Sequence, residues 1–369
     1  MKILYLTTAR HPEDYAKFLM TNKTAPNPSN QHFHTKLINL LSEKYEVIAF
    51  STRPMEKDLF LKDVRKDNYF YPGYLNIPYV KKIGILTGGQ NLARLEKPNF
   101  LVVDVMNTTL LKLARRIKEI YKVPVIGVLT DNPLNITGSK KEYSQSVFKG
   151  SKKCDGYIAL TNGLVRLFDG IHKPYIISPG FIEKSDETQG KTTKYAFFAG
   201  ALYERYGVQK LIDTFALKDI PYKLYIAGHG PLAKTLTELK NDNIVFLGHI
   251  TPEAAKKYSS EALVNINPRP KDEQIDLYSI PSKLLDFINS GTVTISTHNS
   301  EIHNLVGDDI YWISDNEPLT IANALKDIDQ NYNKYALKAT SAKTKLNTLL
   351  SSDNQLAAFA QLVEKLKKL

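Results

Sequence analysis

The chain has 369 residues, 43% hydrophobic and 24% charged, which exceeds what one hydrophobic core usually organises, so two domains are expected. Its single cysteine, Cys154, allows no internal disulfide, and no run approaches the ~20 apolar residues needed to span a bilayer. The formal charge of +11 lies in the first half: residues 1–183 carry 27 Lys and Arg against 16 Asp and Glu, while 184–369 carry 22 against 22. That asymmetry suits an anionic partner (a membrane surface, a nucleic acid or a phosphorylated acceptor) or lysine-rich solubility alone. The start, MKILYLTTARHPEDY, has too short an apolar core for a secretory leader and no small-residue cleavage site. A cytoplasmic protein is expected, soluble or peripheral at the inner face of the cell membrane.

Strands are predicted at 2–7, 45–50, 100–105, 123–129, 156–160 and 174–179, as short Val/Ile/Leu-rich runs without alternation. Helices are predicted between them at 30–43, 108–122 and 162–169. Strand–helix–strand repetition implies a doubly wound parallel sheet. Residues 68–79 (NYFYPGYLNIPY) read as an aromatic, proline-interrupted loop, whose tyrosines meet a membrane interface, stack on sugars or simply pack. Residues 182–194 (IEKSDETQGKTTK) are polar and aperiodic, the best linker in the chain.

After it the alternation resumes. Strands are predicted at 195–200, 223–228, 243–248, 262–268, 293–297 and 309–314. Helices are predicted near 207–217, 231–240, 252–259 and 281–291. The final stretch, 354–369, is amphipathic, with Leu356, Phe359, Leu362 and Leu366 on one face. The expected domains are 1–183 and 184–350, two Rossmann-like units, followed by a C-terminal helix at 351–369.

In open α/β sheets ligands bind beyond the carboxyl ends of the strands, so the strand-to-helix loops carry the candidate chemistry. In FFAGALYERYG (197–207) a glycine ends a strand and a helix starts near Gly207, where free N–H groups and the helix dipole favour an anion within reach of Arg205. IAGHGPL (226–232) has G-x-G after a strand, but position 233 is Ala, so the dinucleotide fingerprint is incomplete and no NAD site is read there. In YSIPSKLLDFINSG (278–291), Pro281 fits the first helical turn, and Ser282 and Lys283 sit where free N–H groups point outward. Asp286 follows one turn later on the same face, suited to a pair of adjacent hydroxyls, and Gly291 caps the helix. A solvated surface helix would read the same way.

The run INPRPKDEQIDLYSIPSKLLDFINSGTVTIST (266–297) resembles the donor-binding segment of family-4-like (group 1) glycosyltransferases of bacterial polysaccharide and glycolipid assembly. FAGALYERYGVQKLIDTF (198–215) is similar to their phosphate-loop segment, IAGHGPL and IVFLGHI (244–250) to their nucleoside-binding strands, and VLTDNP (128–133) to their loop near the reacting sugar. The resemblance implies the GT-B fold, an α/β architecture of two Rossmann-like domains facing across a cleft, with the C-terminal helix crossing back to the first domain. It implies a sugar transferred from a nucleotide-diphosphate-sugar, UDP or GDP type, to a hydroxyl of a saccharide or lipid-linked acceptor, with retention and without a metal or other cofactor.

The donor-binding set so implied is Gly200, Arg205, Gly228, Gly248, His249, Arg269, Pro281, Ser282, Lys283 and Asp286. Asp286 would take the ribose hydroxyls, and Arg205, Arg269 and Lys283 would meet the diphosphate. Asp131 and Tyr278 are the candidate catalytic positions, and His32 and His34 the candidate acceptor contacts. Asp131 either orients a reacting hydroxyl or simply starts the Asn-Pro turn. The sequence departs from the family's pattern at four places. The family's two glutamates eight positions apart become Tyr278 and Asp286, and its arginine and lysine around the phosphate loop become Ala201 and Tyr206. Lys112, Arg115, Arg116 and Lys118 form the polar face of a helix that suits an anionic membrane or plain solvation. Other readings are a sugar-nucleotide epimerase or phosphorylase of the same fold, a non-catalytic GT-B partner subunit, and a nucleic-acid-binding protein. No recognised nucleic-acid motif accompanies the basic excess, so no nucleic-acid partner is expected.

Overall fold

The structure is a computed structural model that describes residues 1–22, 28–136, 140–182, 193–217, 220 and 222–368. The chain forms two compact units. The first comprises Met1–Phe181 together with Ser352–Leu369, and the second Ile182–Ser351. Most of the expected linker lies outside the described residues.

The first unit is built on a sheet whose strands are β1 (Lys2–Thr7), β2 (Glu46–Ser51), β4 (Val64–Lys66), β5 (Tyr69–Tyr71), β7 (Phe100–Asp104), β8 (Val125–Leu129), β9 (Gly156–Ala159) and β10 (Tyr175–Ile177). A separate antiparallel pair joins β3 (Phe60–Leu61) to β6 (Tyr74–Leu75). The large sheet runs β10-β9-β8-β7-β1-β2-β5-β4, parallel except for the β4–β5 edge. Strands β1, β7 and β8 are buried on both faces apart from half-buried Lys2, as the unalternated apolar runs require.

Helices cover the sheet. Thr108–Tyr121 starts where the Asn107 side chain accepts from the N–H groups of Thr109 and Leu110, and it buries Leu110, Leu111, Leu113, Ala114 and Ile117. The last helix, Ser352–Lys367, buries Leu356, Phe359, Leu362, Val363 and Leu366 in the same core as Ile3, Tyr5 and Ile126.

Two sequence expectations change here. The 68–79 segment is not a loop: Tyr69 and Tyr71 lie in β5, 1% and 3% exposed, and Tyr74 lies in β6. The Tyr69 and Tyr71 rings fill the core beside β2, so at these two positions packing wins over stacking on a ligand. The unpredicted helices Pro12–Thr21, Val80–Glu96 and Lys141–Ser151 also appear. Val80–Glu96 is poorly amphipathic and holds three glycines, which hid it from periodicity; one of them, Gly89, gives room to Leu113 of the neighbouring helix.

In the second unit all strands are parallel: β11 (Thr193–Ala201), β12 (Lys223–His229), β13 (Ile244–Phe246), β14 (Ala262–Asn267), β15 (Val293–Thr297) and β16 (Tyr311–Ile313). Their order is β13-β12-β11-β14-β15-β16. This is the doubly wound order, in which the chain winds outward from β11 to one side and from β14 to the other. The crevice at the switch point therefore opens beyond the carboxyl ends of β11 and β14. In the first unit the same reversal falls between β1 and β7.

Candidate functional site

At the carboxyl edge of the second sheet, backbone approaches backbone. Gly200 and Gly228 are register partners on β11 and β12. Gly228 has φ +145, and a Cβ there would lie 1.8 Å from the Gly200 carbonyl oxygen, so only glycine fits. Its N–H donates to the Gly248 carbonyl at 2.8 Å, tying the end of β13 to the same edge. His249 follows, exposed, with its ring edge-on to exposed His229 at 5.6 Å.

Beyond β11 the chain makes a short turn, Glu204–Tyr206, and then the helix Val208–Ala216. Gly207 joins them at φ +78, where a Cβ would fall 1.8 Å from the Pro268 carbonyl oxygen. The loops after β11 and β14 are thus in contact across the switch point. Exposed Arg205 is held between two rings, its guanidinium carbon 5.1 Å from the Tyr203 centroid and 4.9 Å from that of Tyr206. The aromatic pair fixes a cation beside the helix start without neutralising it.

Arg269 follows Pro268. Its carbonyl accepts from the Thr297 hydroxyl at 2.7 Å, and its guanidinium donates to the Ser279 hydroxyl at 3.3 Å. It also faces buried Asp276, whose carboxyl is pushed up by burial, an effect Arg269 partly offsets. Asn316 donates to the Pro268 carbonyl at 3.0 Å, bringing in the loop after β16. Tyr278, half-buried, precedes Ser279.

The helix Ser282–Ser290 comes next, with Pro281 as its N-cap rather than in the first turn, since its ψ of 96° is extended. The first helical bond runs from the Leu284 N–H to the Pro281 carbonyl at 2.9 Å. The N–H groups of Ser282 and Lys283 therefore have no acceptor within the helix. Leu284, Leu285, Phe287 and Ile288 are buried, about 2 kcal/mol each by area, and Gly291 ends the helix at φ +79. Ser282, Lys283 and Asp286 are left on the exposed face. Lys283 Nζ and Asp286 Oδ2 lie 3.2 Å apart.

In the first unit the switch point holds a buried polar group that sequence reasoning missed. Asp104, at the end of β7 and 1% exposed, accepts from Asn30 Nδ2 at 3.1 Å and from the Met106 N–H at 2.9 Å. His34 Nε2 faces the same carboxylate at 3.7 Å. Burial pushes the Asp104 carboxyl up, but His34, Asn30 and the Met106 N–H outweigh it and hold it below the usual value. His34 Nδ1 lies 2.6 Å from the Tyr5 hydroxyl. Burial pushes that phenol up and keeps it protonated.

His34 lies on the helix Pro28–Ser42 and is 0% exposed, packed against Tyr5 of β1 and Asp104 of β7. His32 is exposed, its ring edge-on to Tyr15 at 5.8 Å. Asp131 is half-buried in the loop after β8, next to Thr130, whose hydroxyl donates to Asn30 Oδ1 at 3.3 Å. Asn30 thereby links the helix that carries His32 to the loop that carries Asp131. The missed signal was positional: Asp104 ends the apolar run FLVVD, where the strand-end rule looks for chemistry. Among the described residues, no group of three or more His, Cys, Asp or Glu is placed to hold a metal ion.

Residues 181–345 match the family described as glycosyl transferases group 1, just under half of the chain. The second unit is a group 1 glycosyltransferase domain. With it the chain is an enzyme of the glycosyltransferase class, in the GT-B fold shared with solved glycosyltransferases. Among these, sucrose-phosphate synthase from Thermosynechococcus elongatus superposes with a TM-score of 0.68 at 12% identity, covering 100% of both chains. Anabaena HepE in complex with UDP gives 0.65 at 13% identity, again covering 100% of both chains. The lipopolysaccharide outer core galactosyltransferase WaaB gives 0.59 at 13% identity, covering 98% of this chain and 99% of the other. No curated protein matches the chain by sequence.

Proposed function

We propose that this glycosyltransferase moves a sugar from a nucleotide-diphosphate-sugar to a hydroxyl of a saccharide or lipid-linked acceptor. One observation carries the reading: a continuous chain of contacts along the carboxyl edge of the second sheet. It runs from Arg205 through Gly207 and Pro268 to Arg269, Ser279 and the N-terminus of the helix holding Lys283 and Asp286. Three cations and two helix starts along one edge suit a diphosphate, and Asp286 suits a pair of ribose hydroxyls. The UDP bound by HepE, a protein of the same fold, supports a uridine donor.

Nothing in this scheme asks for a metal: the developing charge on the leaving diphosphate would be met by Arg205, Arg269, Lys283 and backbone N–H groups. Retention of configuration belongs to the same reading. The basic first unit, with Asp131 in the loop after β8 and His32 on the helix Pro28–Ser42, would receive the acceptor.

The test is calorimetric titration with a panel of UDP- and GDP-sugars, then transfer assays in excess EDTA with the product anomer read by NMR. One donor should bind and be consumed only when acceptor is present. Alanine at Arg205, Arg269 or Lys283 should each raise its dissociation constant more than tenfold. Normal donor binding in all three variants sinks the site, and donor interconversion without acceptor makes the enzyme an epimerase.

A further inference from the structure

The first unit carries 30 Lys and Arg against 17 Asp and Glu, a net of +13, while the second carries 19 against 21. Within that basic unit, six of the large exposed apolar side chains lie on the two segments that flank the β3–β6 pair. On the β3 side, Leu59 is 52% exposed and Phe60 74%. On the β6 side, Ile77 is 39% exposed, Tyr79 81%, Val80 42% and Ile83 62%.

The segments are neighbours in the fold. Strand β3 pairs with β6, Phe60 opposite Leu75 and Leu61 opposite Tyr74, and the Asn76 N–H donates to the Leu59 carbonyl at 2.8 Å. Asn76 Nδ2 also donates to the Glu56 and Asp58 carbonyls, at 2.8 and 3.2 Å. The helix Val80–Glu96 then packs on β6 through Gly84, where a Cβ would lie 2.6 Å from the Tyr74 Cβ. Tyr79, just before that helix, holds φ +68, a conformation costly for a tyrosine, with its ring in solvent. Exposed Lys57, Lys62, Lys81 and Lys82 lie along the same segments with exposed Asp58 and Asp63, a local excess of two positive charges, and Lys82 Nζ sits 5.6 Å from the Tyr79 ring centroid.

Exposed apolar side chains with a local excess of lysines are what an anionic bilayer takes up: the rings enter the interface while the ammonium groups meet lipid phosphates. The polar face of Thr108–Tyr121 is a weaker candidate, because Lys118 is paired with Asp155 at 2.5 Å and Arg115 with Glu119 at 2.8 Å. We propose that the ridge formed by Leu59, Phe60, Tyr79, Val80 and Ile83 with Lys57, Lys81 and Lys82 docks the first unit on an anionic lipid surface. The proposal extends the reading of the first unit as the acceptor-binding side, and would place a lipid-linked acceptor beside the enzyme.

The experiment is flotation of the full chain with vesicles of phosphatidylcholine alone and with 30% phosphatidylglycerol, at about 0.1 M salt. Binding is expected only to the anionic vesicles. The triple variant Phe60→Ser/Tyr79→Ser/Ile83→Ser and the double variant Lys81→Glu/Lys82→Glu should each weaken it about tenfold or more. Lys112→Glu/Arg116→Glu on the neighbouring helix should weaken it by no more than about threefold. Circular dichroism and nucleotide-sugar titration verify that each variant is folded; donor binding tests the transferase reading separately and should stay unchanged. Absence of wild-type binding, or binding that survives both ridge variants, overturns the proposal. So does a wild-type dimer that the triple variant converts to monomer, since the ridge would then be covered by a second copy of the chain.

Discussion

Lys283 and Asp286 hold each other across one helical turn, 3.2 Å apart and both about half exposed, at the start of the helix that follows the switch point. An exposed i,i+3 pair contributes under about 1 kcal/mol and opens readily. The pair therefore stores two ligand groups in place without locking them. Lys283→Ala and Asp286→Ala should each leave the unfolding midpoint nearly unchanged while weakening nucleotide-sugar binding more than tenfold by calorimetry. A large stability loss with normal donor affinity would make the pair structural.

Gly228 and Gly248 both have positive φ but opposite surroundings. Gly228 would drive a Cβ into the Gly200 carbonyl, whereas a Cβ at Gly248 meets nothing within 4 Å. Gly248→Ala should cost about 1 kcal/mol, the ordinary backbone penalty. Gly228→Ala should cost about 3 kcal/mol or more and abolish donor binding, because the edge between β11 and β12 must part. Urea denaturation compares the two, and equal losses would refute the packing argument.

Asp104 gives the first unit an acid-sensitive core. Its carboxyl is held below its unfolded value, so its stabilising contribution is complete above the unfolded pKa of about 3.9 and fades as pH falls through the lower folded value. Asp104→Ala at pH 7 should cost about 3 kcal/mol, leaving Asn30 Nδ2 and the Met106 N–H without their acceptor and His34 without the carboxylate it faces. Denaturation from pH 7 to pH 3 should fall more steeply for the wild type than for the variant below about pH 4. Parallel curves would show that the carboxylate is not ionised in the fold.

The last helix stabilises the unit at the far end of the chain. Leu362 is 1% exposed, and its Cδ1 would lie 3.2 Å from a Cβ at Gly156 in β9. Leu362→Ala should cost about 3 kcal/mol, and removing 352–369 should lower the first unit's melting temperature without weakening nucleotide-sugar binding by the second. Differential scanning calorimetry of the full chain and of chain 1–351 would measure this. Loss of donor binding in the truncated chain would contradict it.

The apolar runs FLVVD and VIGVL determined strands by themselves, because a strand buried on both faces needs such a run whatever its neighbours are. The helix Ser282–Ser290 was equally legible, its apolar stripe and terminal glycine being local signals. Sequence also placed Lys283 and Asp286 on one face, since that follows from helical spacing alone. What it left open depends on residues far apart in the chain. Tyr69 and Tyr71 went to the core because β5 adds to β2, a pairing no local pattern announces. His34 is in the interior because the Tyr5 hydroxyl, 29 positions away, pairs with its Nδ1 and the Asp104 carboxylate, 70 positions away, faces its ring. Local periodicity fixes which face a side chain takes on its own element; only the packing of distant elements decides whether that face meets solvent, core or ligand.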